Sequence, residues 1–306
     1  MPGPGPARRP VSGAALWRAG GGPAGCFTLI DAMEAVRIAI LDMYARAPNE
    51  GMRCIRQLLA RGAAEHGQPF QVDTFDVRAG NAVPGLDYDV YISSGGPGSP
   101  LVSGEAWEPR YFAFVDALLA HNARHDDKKH LLLICHSYQL VSRHLGVGDV
   151  TRRKSTSFGV LPVHRTAAGL AEPVLHGLSD PFYIVDSRDY QLVNLDHDRL
   201  AALGAAVLCL EKERPHVPLS RAAMAIRFTP EVLGTQFHPE ADGEGMLRHL
   251  RTPERRQQVI ADFGAAKYEE MMRLLADPAA IARTESVIVP TFLRRALAAV
   301  RPLMPA

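Results

Sequence analysis

The chain has 306 residues, 47% of them hydrophobic, enough to fill a substantial core. Its 34 Lys+Arg against 33 Asp+Glu leave a formal net charge of +1, which excludes the electrostatic footprint of a nucleic-acid binder or of a protein held on an anionic membrane. The longest apolar runs, Leu131 to Cys135 and Ala201 to Leu210, fall well short of the roughly 20 residues that cross a bilayer.

Residues 1–32 are rich in Gly, Pro, Ala and Arg and lack the continuous apolar stretch of a secretory signal. They read as a disordered N-terminal extension. A strand-like pattern then begins at Met33, which marks that methionine as a possible true start. Cys26, Cys54, Cys135 and Cys209 lie far apart, with neither metal-ligand nor disulfide spacing, so no metal or cofactor is expected and a reducing cytoplasm is the expected home.

From residue 36 short β-rich runs alternate with helical ones, the signature of a mostly parallel α/β sheet with helices on both faces. Strands are predicted at Val36 to Leu41, Phe70 to Val77, Asp89 to Ser93 and His130 to Ile134. Helices are predicted at Gly51 to His66, Trp107 to Ala120 and Ser137 to Leu145, the last closed by Gly146. Between about 155 and 240 the pattern turns β-rich, with pieces near Gly159 to Val163, Phe182 to Asp186, Ala206 to Leu210, Met224 to Phe228 and Val232 to Phe237. The expected division is a domain over 33–250 and a helical C-terminal extension over 251–306, whose Val259, Phe263, Met271, Met272, Leu274 and Leu275 are core candidates.

Three motifs carry chemistry. Ile134-Cys135-His136-Ser137 ends a buried strand and opens a helix. At such an elbow the side chain stands above the sheet, the helix N-terminus favours a thiolate, and the next backbone N–H can face an oxyanion. A lone cysteine at a strand end is more often structural. Ser93-Ser94-Gly95-Gly96-Pro97-Gly98-Ser99-Pro100 follows the third strand, where its glycines let backbone N–H groups approach a ligand. Gly234-Thr235-Gln236-Phe237-His238-Pro239-Glu240 ends another strand, and residues two apart in extended chain share a face, so Glu240 can orient His238.

Together and in this order, the three segments resemble the class I glutamine amidotransferases (the GMP synthase-like type), over roughly residues 36–245. The resemblance implies a flavodoxin-like α/β domain with Cys135 as nucleophile, His238 as base and acid, and Glu240 as orienter. It also implies that Gly95, Gly96 and His136 line the oxyanion site and that Gln139, Ser187 and the neighbouring Arg188 belong to the substrate shell. Leu133 and Ser137 stand where that family has its two elbow glycines, which crowds the turn, and Arg188 replaces a family histidine. The Ser187-Arg188 pair resembles the Ser-Arg-Tyr-like segment that homoserine acyltransferases of this fold carry near an equivalent triad, with Asp189 interrupting the match; an arginine beside the site can clamp a substrate carboxylate with two hydrogen bonds. An ion pair of Arg188 with Asp186 or Asp189 is the plainer expectation.

The function expected is hydrolysis of glutamine or a related amide through a thioester, with a small-molecule substrate and a separate synthetase or acceptor subunit as partner. Another acyl donor, and a non-enzymatic ligand pocket, are the alternatives. The runs Lys154 to Gly159 and Glu211 to His216 are expected to be solvated loops near the site mouth.

Overall fold

The computed structural model describes residues 35–214, 219–277 and 281–300. The N-terminal extension, Pro215 and His216 lie outside the described residues. Residues 35–300 are described as one unit.

The first half follows the alternation in the sequence: β1 (Val36–Asp42), α1 (Gly51–His66), β2 (Phe70–Asp76), β3 (Val90–Ser93), α2 (Trp107–Arg124), β4 (His130–Ile134) and α3 (His136–Leu145). Gly146 takes the left-handed conformation that caps α3, donating its N–H to Arg143. The second half holds β5 (Asp149–Arg165), α4 (Ala167–Ala171), β6 (Phe182–Val193), α5 (His197–Leu203), β7 (Ala206–Glu211), β8 (Ala223–Thr229) and β9 (Val232–Thr235). Four helices close the chain: α6 (Gly243–Arg251), α7 (Pro253–Phe263), α8 (Ala265–Ala276) and α9 (Ala282–Val300).

All nine strands join one sheet in the order β2-β1-β3-β4-β9-β8-β7-β5-β6. From β2 to β9 neighbours run parallel; from β9 to β6 they run antiparallel. The sheet is therefore parallel where the three motifs lie and antiparallel beyond them. The run Lys154 to Gly159 is not a free loop: it belongs to β5, with a register break between Arg152 and Ser157. Its polar residues belong at a sheet margin, where fewer side chains need a core.

The strands alternate their side chains between two cores. Val36, Ile38, Ile40, Leu132 and Ile134 face α1 and α9. Ala39, Leu41, Leu131 and Leu133 face α2 and α3. A third cluster packs α6, α7 and α8 against Phe158, Val160 and Val185 of β5 and β6. Ala241, just past the third motif, joins the same cluster, which sets α6, α7 and α8 beside that motif. Among the described residues no helix is long and apolar enough to cross a membrane, and no group of His, Cys, Asp and Glu has the arrangement of a metal site.

Candidate functional site

Cys135 stands at the carboxyl end of β4, on the N-cap of α3, with φ 49° and ψ −97°. A non-glycine residue at positive φ is strained and persists where its surroundings hold it. Hydrogen bonds from β9 and β3 hold it. The Cys135 N–H donates to Thr235 O at 2.7 Å. Ser137 Oγ accepts from Ile134 N at 2.9 Å and donates to Ser93 O at 2.8 Å, stitching the elbow to β3. The serine in the family's glycine position is therefore a working part of the turn. Leu133 pairs in register with Gly234 of β9, where a Cβ would sit 2.6 Å from the Tyr138 ring and 2.8 Å from Phe228.

His238 and Glu240 follow β9, and the His238 N–H donates to Val185 O of β6 at 3.1 Å. The His238 Nδ1 to Glu240 Oε1 distance is 2.8 Å, and Glu240 is buried. Cys135 is the ring's other neighbour: both flank Gly95, and the sulfur acts on the imidazole electrostatically. Burial pulls the His238 pKa down, but the charge of Glu240 and the neighbouring sulfur outweigh it and hold it well above its ordinary value.

Gly95 packs against this pair. A Cβ there would lie 2.8 Å from His238 Cε1 and 3.6 Å from Cys135 Cβ, so only glycine leaves the imidazole its place. Gly96 has a different reason to be glycine, since a Cβ would collide with the Met43 carbonyl. His136 is buried, its Nε2 has no partner, and burial followed by Arg78 and Arg143 lowers its pKa to about 3. Its side chain stays neutral while its N–H belongs to the unpaired first turn of α3.

Gln139 lies under the elbow and donates through Nε2 to Gln236 Oε1 at 2.9 Å; Gln236 Nε2 in turn approaches Cys135 Sγ at 3.8 Å. Both are buried. Gln236 is a functional candidate the sequence reading quoted without a role.

Arg188 makes the ion pair with Asp186 that was the plainer expectation. Its side chain is 1% exposed, its Nε donates to Asp186 Oδ2 at 2.9 Å and its Nη2 to Glu211 Oε1 at 3.3 Å. Asp189 instead accepts from Thr156. The guanidinium is held by two buried carboxylates, and its Nη1 donates to the Tyr190 carbonyl at 3.4 Å. Ser187, one residue earlier, is exposed and lines a cavity of about 280 Å³ with His238 and Glu240. Alternation along β6 sends the two side chains to opposite faces.

The sequence reading missed Tyr44, which lines the same cavity. Its Oη would lie 3.3 Å from a Cβ on Gly95, and it would collide with a Cβ on Gly51. Burial, then Glu240 and Cys135, push its phenol pKa well up. The available signal was its position two residues past the end of β1, where open α/β sheets form their sites.

No protein-family model matches the chain, and no curated protein does. Solved structures do. A glutamine amidotransferase from Thermotoga maritima aligns at a TM-score of 0.59 and 14% identity, over 86% of this chain and 98% of that one. A glutamine amidotransferase from Methylobacillus flagellatus aligns at 0.59 and 17%, over 88% and 96%. The chain has the class I glutamine amidotransferase-like fold.

Proposed function

We propose that the chain hydrolyses the amide of glutamine, or of a related donor, with Cys135 as nucleophile, His238 as acid and base, and Glu240 as the group that orients and charges His238. The observation that carries this reading is the imidazole that bonds Glu240 Oε1 at 2.8 Å and shares with Cys135 the space beside Gly95.

In the first step Cys135 sulfur attacks the amide carbonyl carbon, and the developing oxyanion meets backbone N–H groups of Gly96 and His136. The C–N bond then breaks as His238 passes its proton to the leaving ammonia. Water attacks the resulting thioester while His238 takes a proton from it, which returns the thiol and releases the carboxylic acid. Ammonia would go to acceptor chemistry on a separate subunit. The donor other than glutamine drew its support from Arg188, which is buried in ion pairs and gives it none.

The test is to incubate purified protein with glutamine and follow glutamate and ammonia, with Cys135→Ala as control. Equal formation of both products, abolished in the variant, is expected. Glutamate production unchanged in Cys135→Ala would remove the proposal.

A further inference from the structure

The cavity over His238 and Glu240 has one wall from the C-terminal helices, and Arg255 stands in it. Every carboxylate lining that cavity already answers a cation. Glu50 and Asp242 hold Arg53 at 2.6 and 2.8 Å, and Glu240 holds His238. Arg255 is different. Its Nη1 donates to the neutral amide of Gln258 at 2.7 Å, while its Nε is buried without a partner. Among the described residues no carboxylate pairs with it.

The guanidinium carbon lies over the Phe158 ring, 5.5 Å from its centroid, and Phe158 stacks on Phe263 of α7 at 4.9 Å. A guanidinium placed on an aromatic ring keeps N–H groups for a carboxylate, which it can take with two hydrogen bonds.

We propose that Arg255 is a specificity-determining residue that binds a carboxylate on the acyl donor, so that the C-terminal helices supply substrate recognition to the Cys135 site. The proposal rests on the reading of Cys135 as nucleophile. It assigns to Arg255 the part the sequence suggested for Arg188, and it defines the donor as an anionic amide such as an amino acid with a free carboxylate.

The experiment compares two probes that differ in that one group: a diazoketone analogue of glutamine with its carboxylate free, and the methyl ester of the same compound. Both alkylate sulfur with loss of dinitrogen, and mass mapping reads the rate at Cys135. In wild type the acid should label Cys135 about tenfold or more faster than the ester, the scale of a charged hydrogen bond. Arg255→Gln should collapse that ratio towards one, and Arg255→Lys, with charge but no planar fork, should fall between. The ester's rate reports whether the site is intact in each variant. Equal rates for acid and ester in wild type, or an acid preference that survives Arg255→Gln, would overturn the role of Arg255 and leave the nucleophile standing. Failure of both probes to label Cys135 in wild type would instead overturn the nucleophile, and this proposal with it.

Discussion

Arg188 donates to Asp186 Oδ2 at 2.9 Å with each side chain only 1% exposed, and the same guanidinium reaches Glu211. This is a buried charge cluster under the site, and Ser157 Oγ completes it with a 2.7 Å hydrogen bond to the same Asp186 oxygen. Removing the cation strands the buried Asp186, while Glu211 keeps Arg153 and Arg214. Arg188→Ala should therefore destabilise the fold by about 3–5 kcal/mol, the usual cost of breaking a buried pair from one side. Denaturant unfolding reads it; a change under about 1 kcal/mol would show that the cluster is solvated.

The elbow serine gives a second stability prediction. Ser137→Ala leaves the buried Ile134 N–H and the Ser93 carbonyl without their bridging hydroxyl. The expected loss is about 1–3 kcal/mol, the cost of an unsatisfied buried polar group. A neutral result would mean that the strained Cys135 backbone does not depend on this bridge.

Gly51 and Tyr44 should be coupled. A Cβ on Gly51 collides with Tyr44 Oη and lies 3.3 Å from Glu240 Oε1. Gly51→Ala therefore has to displace the phenol or the carboxylate, and glutaminase activity should fall with little loss of stability. Tyr44→Phe removes the oxygen that collides, so the double variant should lose less activity than the single effects sum to. Strict additivity of the two changes would argue against contact between them.

The pH dependence follows from His238. Burial lowers its affinity for a proton, but Glu240 and Cys135 raise it further, so the folded pKa lies well above the ordinary 6.5. A folded pKa above the unfolded one gives stability that is complete below the unfolded pKa and is lost as pH rises through the folded one. Glu240→Gln removes the larger of the raising influences. The His238 ring should then titrate at lower pH than in wild type, as read by NMR of the imidazole. An unchanged or higher titration would mean that Glu240 does not set its charge.

The parallel half of the sheet is legible because its strands are continuous apolar runs. Leu131 to Ile134 must be buried on both faces, and the motifs at their ends fall where such sheets form sites. Strand β5 is harder to read: Thr151 to Thr156 are polar, since they sit at the antiparallel margin rather than between two cores. Arg188 was open to a better reading, because Ser187 and Arg188 cannot both face one site from an extended strand. Arg255 left no local signal. It reaches the cavity only because Val259, Phe263 and Met271 pack α7 and α8 against Phe158 and Val185, a tertiary event that no short motif encodes.

The most direct test of the central claim is the position and rate of thiol alkylation. Burial pushes the Cys54 thiol up to about 12 and raises Cys209 as well, so both should be inert. Cys135 instead lies beside His238, whose affinity for a proton Glu240 raises, and at the first turn of α3. Brief exposure to iodoacetamide at neutral pH, followed by peptide mapping, should place the label on Cys135, and His238→Ala should slow it by about tenfold or more. Label on Cys54 or Cys209 first, or the same rate at Cys135 in wild type and His238→Ala, would contradict the assignment of Cys135, His238 and Glu240.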